Sequence, residues 1–128
     1  MTDKTLHVSM SDGRYSAEKI VVLEGVLNAE TAFRLRDAAR QLIPESLVID
    51  MQGVRYVDSS GLGVLIGIYV SCEQNSRRLF LVGLNDAVWD VFRKCKIDDV
   101  FTRYSTIADA EAAMAKMEQK LSGTPVGK

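Results

Sequence analysis

Residues 47–74 read LVIDMQGVRYVDSSGLGVLIGIYVSCEQ, and this stretch decides the fold. It begins with an uninterrupted apolar triplet, Leu47 to Ile49, which is typical of a strand covered on both faces of its sheet. A loop is expected from Asp50, and a helix from about Ser60 to Gln74. A buried strand followed by an apolar helix indicates a layered α/β structure.

Two strands are predicted before this stretch. Leu6, Val8 and Met10 alternate with polar residues, and a turn at residues 11–13 precedes the apolar stretch 20–23. The two strands should therefore pair antiparallel. The single histidine, His7, falls in the first strand and is expected at the surface or edge of the sheet.

A helix is predicted between the second strand and Leu47. Asn28 can cap its start, and Pro44 ends it. Its apolar stripe consists of Ala32, Leu35, Ala39, Leu42 and Ile43.

The rest of the chain continues the alternation of strands and helices. We expect a strand at Leu79 to Val82, a helix capped by Asn85, a last strand at Val100 to Tyr104 and a final helix from Thr106. The apolar stripes are Val88, Val91, Phe92 and Cys95 in the first of these helices, and Ile107, Ala110, Met114, Met117 and Leu121 in the second. The pattern predicts one α/β domain over residues 1–121, with a mixed, mainly parallel sheet of about five strands and about four helices, and a flexible tail at 122–128.

The composition narrows the functional classes. With 128 residues, 47% of them hydrophobic, the chain suits a single core, and 16 basic against 17 acidic residues leave no cationic surplus for nucleic acid. Cys72 and Cys95 lie in apolar helical patterns, as reduced core thiols would, and we expect neither a disulfide nor a metal site there. The strongest apolar run, residues 61–70, is shorter than the ~20 residues that cross a bilayer. No membrane contact and a cytoplasmic location are therefore predicted.

The string DSSGLGV at residues 58–64, approached by VRYV at 54–57, resembles the phosphorylation segment of bacterial STAS-domain anti-sigma-factor antagonists. EGVLNA at residues 24–29 resembles the G-x-L-D-x turn of that family, and the order of elements matches from about residue 4 to residue 120. The resemblance implies a single STAS-like domain in which Ser59, directly after Asp58, is phosphorylated by a partner kinase.

Elementary chemistry also favours a phosphate at Ser59. A hydroxyl at the start of a helix lies near unpaired backbone N–H groups and the positive end of the helix dipole. Alternatively, Ser59 and Ser60 are helix caps, a position that Asp58 would also suit, and capping is the better explanation on composition and spacing alone. The resemblance favours phosphorylation of Ser59, while Ser60 remains a cap or a supporting hydroxyl.

Glycine is frequent at the start of this helix, at Gly61, Gly63 and Gly67, although glycine there costs about 1 kcal/mol relative to alanine. Either the helix approaches the sheet closely, or Gly61 and Gly63 leave room for a kinase to reach Ser59. Asn28 stands where the family usually has aspartate, so any role of that carboxylate near Ser59 is in doubt.

Val64 and Ile68 lie roughly opposite the main apolar stripe of this helix, Leu62, Leu65, Ile66 and Tyr69. A neighbouring helix could cover them, or they could form an exposed patch on which a partner docks. We expect Val64 and Ile68 to contact an anti-sigma factor.

The resemblance implies partner switching. The unphosphorylated chain would bind an anti-sigma factor that is also a serine kinase, phosphorylation of Ser59 would release it, and a metal-dependent serine phosphatase would restore it. A STAS scaffold or transport-complex subunit, never phosphorylated, is the alternative. An enzyme is disfavoured because the sequence has no phosphate-binding loop, histidine triad or metal-ligand cluster. A receiver-type phosphoaspartate domain fits the size and topology, but it would require an acidic cluster with a lysine at the carboxyl ends of several strands, and Asp50 and Asp58 alone do not provide one.

Overall fold

The computed structural model describes residues 5–42 and 45–121 of the chain. It contains five strands and four helices in these residues. In chain order they are β1 (Leu6–Asp12), β2 (Glu18–Leu27), α1 (Ala32–Gln41), β3 (Ser46–Val57), α2 (Ser59–Gln74), β4 (Arg78–Val82), α3 (Asp86–Lys94), β5 (Arg103–Tyr104) and α4 (Ile107–Leu121). Residues 43, 44 and 122–128, which include the expected helix stop at Pro44 and the expected tail, lie outside the described residues.

The sheet has the order β1-β2-β3-β4-β5. β1 pairs antiparallel with β2, as predicted, and the other three pairings are parallel. The prediction of an α/β fold with a mixed, mainly parallel sheet is therefore confirmed. His7 is exposed on the edge strand β1, as expected.

Two apolar layers cover the two faces of the sheet, because successive side chains of a strand point to opposite faces. Leu47 and Ile49 of β3 pack into the larger cluster, which includes residues of α1, α2 and α3. Val48, between them, joins the smaller cluster with Ala110 and Met114 of α4. β3 is thus a central strand buried on both faces, as its uninterrupted apolar triplet predicts.

β3 is longer than predicted. It continues from the apolar triplet through Val57, where a loop was expected from Asp50 onwards. The second half pairs only with β2, because the register with β4 ends at Asp50. A strand with one open edge tolerates exposed residues such as Gln52 and Arg55. These polar residues interrupt the apolar pattern by which a buried strand is recognised in the sequence.

The third helix and the last strand are shorter than predicted. Asn85 caps α3 as expected, with its side chain accepting a hydrogen bond from Val88 N at 2.8 Å. Cys95 follows the end of α3 and is exposed, so its expected place in the core is wrong, whereas Cys72 is buried. Burial also raises the pKa of the Cys72 thiol. β5 spans two residues only, not Val100 to Tyr104.

None of the helices in the described part of the chain has the length and apolar character needed to span a membrane.

Candidate functional site

The carboxyl ends of β2 and β3 bring the two predicted site loops together. Leu27 and Val57 are register partners at these ends, and Asp58 N donates a hydrogen bond to Leu27 O at 3.1 Å. Asn28 directly follows Leu27 of β2, and Asp58 directly follows Val57 of β3. The turn before α1 and the start of α2 therefore lie side by side, as expected for adjacent parallel strands.

Asp58 caps α2. Its Oδ1 accepts hydrogen bonds from Ser60 N at 2.9 Å and from Gly61 N at 3.0 Å. Of the three candidate caps, Asp58 is therefore the one that caps the helix, and Ser59 and Ser60 do not. An aspartate directly before a helix satisfies two N–H groups and places its negative charge at the positive end of the helix dipole.

Ser59 is the first residue of α2, and its side chain is exposed. Within the described residues its hydroxyl makes no hydrogen bond, so the oxygen is available to a second protein. The N–H groups expected to receive a phosphate are largely occupied, because Asp58 already binds those of Ser60 and Gly61. A phosphate at Ser59 would therefore compete with the Asp58 carboxylate.

Asn28 supports the turn before α1 and does not cap that helix. Its Oδ1 accepts hydrogen bonds from Glu30 N at 2.9 Å and Thr31 N at 3.1 Å. Thr31 is the residue directly before α1, and its buried hydroxyl donates to Val26 O at 2.7 Å. Asn28 lies next to the loop that carries Ser59, as expected, but its side-chain oxygen binds the backbone of its own turn, residues 28–31.

The three glycines of α2 differ in their surroundings. A Cβ at Gly61 would lie 2.5 Å from Leu27 O, so close approach of the helix to β2 requires glycine there. A Cβ at Gly63 or at Gly67 would meet nothing within 4 Å. The packing explanation therefore holds for Gly61, while Gly63 and Gly67 face open space.

The exposed apolar residues of α2 are not those expected. Ile68 is only 8% exposed and belongs to the core, and the half-buried Val64 packs against that core, so the two residues do not form an exposed patch. Their contact with an anti-sigma factor stays a prediction. Ile66 and Val70 are exposed by 36% and 43%. They follow Ser59 by seven and eleven residues, which at ~100° per residue puts all three on one face of the helix.

The sequence pattern predicts Ile66 in the buried stripe, although its spacing of seven residues from Ser59 indicates the exposed face. Together, Ser59, Ile66 and Val70 form a surface that we call the Ser59 face. Among the residues that the structure describes, no group of His, Cys, Asp and Glu side chains is arranged to hold a metal ion. The arrangement suits reversible contact with another protein.

Comparison with known proteins agrees with this geometry. The sequence model of the STAS domain matches residues 11–110. The anti-sigma-B factor antagonist of Listeria monocytogenes is 32% identical over 83 residues, which covers 62% of this chain and 73% of that protein.

Solved structures share the fold. An anti-sigma factor antagonist from Mycobacterium paratuberculosis superposes with a TM-score of 0.76 at 23% identity, covering 88% of this chain and 97% of the other. The Bacillus cell fate determinant SpoIIAA in its phosphorylated form superposes with a TM-score of 0.64 at 17% identity, covering 84% and 99%.

Proposed function

Because the chain belongs to the STAS domain family, we propose that it is an anti-sigma-factor antagonist whose binding is switched by phosphorylation of Ser59. The observation that carries this proposal is the exposed hydroxyl of Ser59 at the start of α2, on one face with Ile66 and Val70. The similarity to the Listeria antagonist supports the functional class. The phosphorylated form of SpoIIAA supports the view that a protein of this fold can carry a phosphate.

The unphosphorylated chain binds an anti-sigma factor through the Ser59 face. The exposed apolar side chains of Ile66 and Val70 lose contact with water on binding, which favours association. The neutral hydroxyl of Ser59 is removed from water at small cost compared with a charged group. The partner thereby releases its sigma factor.

Phosphorylation reverses this binding. The partner, acting as a serine kinase, transfers the γ-phosphoryl group of ATP to Ser59 Oγ; the serine proton leaves and ADP is released. The new group carries a charge of about −1.5 to −2 and stands beside the Asp58 carboxylate. A surface with two adjacent negative groups cannot be buried against an apolar or acidic partner without a large desolvation penalty.

A metal-dependent serine phosphatase resets the switch. Water attacks the phosphorus atom, the bond between phosphorus and Ser59 Oγ breaks, Oγ takes up a proton to restore the hydroxyl, and inorganic phosphate leaves. In this cycle, which we place in the cytoplasm, the chain is a substrate and a ligand and needs no cofactor of its own. ATP and the metal belong to the partner enzymes.

The test compares intact masses after incubation with ATP and the candidate anti-sigma kinase from the same genome. Wild type and Ser60→Ala should each gain one phosphate, and Ser59→Ala should gain none. Phosphate on Ser59→Ala but not on Ser60→Ala would move the site by one residue. No phosphate on any of the three, with the partner still bound, would instead favour the constitutive scaffold.

A further inference from the structure

A groove of about 610 Å³ runs between α1 and α2, on the side of α2 next to the Ser59 face. We call it the α1–α2 groove. Its floor is apolar and includes Leu47 of β3 with Ile68 and Cys72 of α2, all of which are buried. Ser60 lines one end of it and Ser71 the other. At 1.5 Å per residue these two serines are about 16 Å apart, so the groove suits an elongated occupant of about three helical turns.

One wall of the groove is bare backbone. Gly63 and Gly67 both line it, one helical turn apart, and a Cβ at either position would meet nothing within 4 Å. Packing within the chain therefore does not require these glycines, although each lowers the stability of the helix by about 1 kcal/mol relative to alanine. Small residues four apart allow the backbone of a second helix to approach closely.

The rim of the groove is positively charged. Arg36 and Arg40 of α1 and Arg77 after α2 line it, and no carboxylate does so in the part of the chain that the structure describes. Arg36 has a carboxylate, Asp37, at 3.6 Å, and both side chains are about half exposed. Neither Arg40 nor Arg77 forms an ion pair with a described carboxylate. The groove is therefore complementary to an occupant with an apolar face and acidic flanks.

We propose that the α1–α2 groove receives an amphipathic helix of the anti-sigma factor, with small residues facing Gly63 and Gly67 and acidic residues facing the arginines. This inference rests on the proposed function. It adds a docking site that is continuous with the Ser59 face, because Ser60 lies at the end of the groove next to Ser59. The groove fixes the partner along α2, and the charge at Ser59 decides whether the partner stays.

Calorimetric titration of the anti-sigma factor tests the groove in two independent ways. Gly67→Leu fills the wall with a side chain, and Arg40→Glu reverses a charge on the rim; each should weaken binding by at least about tenfold, or about 1.4 kcal/mol. Matched controls are Gln41→Leu and Arg34→Glu, at exposed positions of α1 that do not line the groove, and both should bind like wild type. Thermal melts show whether each of the four variants folds. Arg40 is exposed, so Arg40→Glu still tests the groove if Gly67→Leu fails to fold.

Three results would overturn the inference. If wild type binds while Gly67→Leu and Arg40→Glu bind equally well, the groove is not used and the proposed function stands. If Arg34→Glu weakens binding as much as Arg40→Glu, only the general charge matters. If no anti-sigma factor of the same genome binds wild type, the proposed function fails and this inference with it.

Discussion

Asp58 has two effects at the start of α2, one on the helix cap and one on the surface charge, and they oppose each other once Ser59 is phosphorylated. Its carboxylate holds two N–H groups of the first turn and so fixes the geometry of the loop. The same negative charge lies beside the residue that would carry the phosphate. We therefore expect phosphorylation to strain the cap as well as to change the charge of the surface.

The cap can be tested by substitution. Asp58→Ala should lower the free energy of unfolding by about 1 kcal/mol, because two N–H groups lose their partner. Ser60→Ala should change it by less than about 0.5 kcal/mol, as is usual at exposed positions. Urea denaturation measures both values. Equal losses in the two variants would contradict the assignment of Asp58 as the cap.

Glu18 is a buried carboxyl group at the end of the sheet opposite Ser59. It is 1% exposed, and its Oε1 accepts a hydrogen bond from Tyr15 N at 3.1 Å, while its Oε2 has no hydrogen-bond partner in the described residues. Burial, with the neighbouring Glu111 carboxyl on α4, raises the pKa of Glu18 above its usual 4.5. Glu45 and Arg78 line the adjoining cavity of about 420 Å³.

This environment predicts a pH-dependent stability. An acid with a raised pKa in the folded protein holds more protons folded than unfolded between the two pKa values, so stability falls as pH rises from about 4.5 through the folded value. Glu18→Gln keeps the hydrogen-bonding shape without the charge and should remove this fall. Unfolding free energies across pH 5 to 8 measure it, with Glu45→Gln as the control from the same cavity. A wild type whose stability rises over this interval, or a Glu18→Gln variant with the same fall, would contradict the account.

The glycines of α2 provide a test at the scale of the element. Gly63→Ala and Gly67→Ala should each stabilise the fold, by up to about 1 kcal/mol, because alanine favours the helix and meets nothing there. Gly61→Ala should destabilise it, since its Cβ would lie 2.5 Å from Leu27 O. Thermal melts of the three variants give the sign of each effect. A loss of stability at Gly63 or Gly67 would show that packing within the chain requires these glycines.

The elements also show what the sequence can and cannot predict. α2 and the triplet Leu47 to Ile49 were predictable because each is a dense apolar run, one of helical length and one of the length of a buried strand. The second half of β3 was not, since a strand paired on one side only carries exposed residues at irregular spacing. β5 consists of two residues, too few for any periodicity.

Part of the candidate site could be predicted in the same way. The DSSG string locates Ser59 at a helix start, but Asp58 and both serines are all good caps, and only the geometry distinguishes them. Likewise, the apolar residues of α2 occupy nearly the whole circumference of the helix. Which of them stay exposed, Ile66 and Val70 or Val64 and Ile68, depends on where α1 and the sheet pack.

In the whole molecule, the Ser59 face and the core are separate. The residues that hold the sheet together lie in two buried clusters, whereas Ser59 is exposed at the carboxyl end of β3. A charge can therefore be added to and removed from this end without unfolding the domain. The groove to which we assign the partner helix begins at this end and runs along α2, so one side of the molecule serves for both docking and release.

The most direct measurement is the dissociation constant of the anti-sigma factor for the unmodified chain and for the chain phosphorylated at Ser59 alone. The proposed switch predicts tight binding of the unmodified form and at least about tenfold weaker binding of the phosphorylated form, with both forms still folded. Equal dissociation constants for the two forms would contradict it.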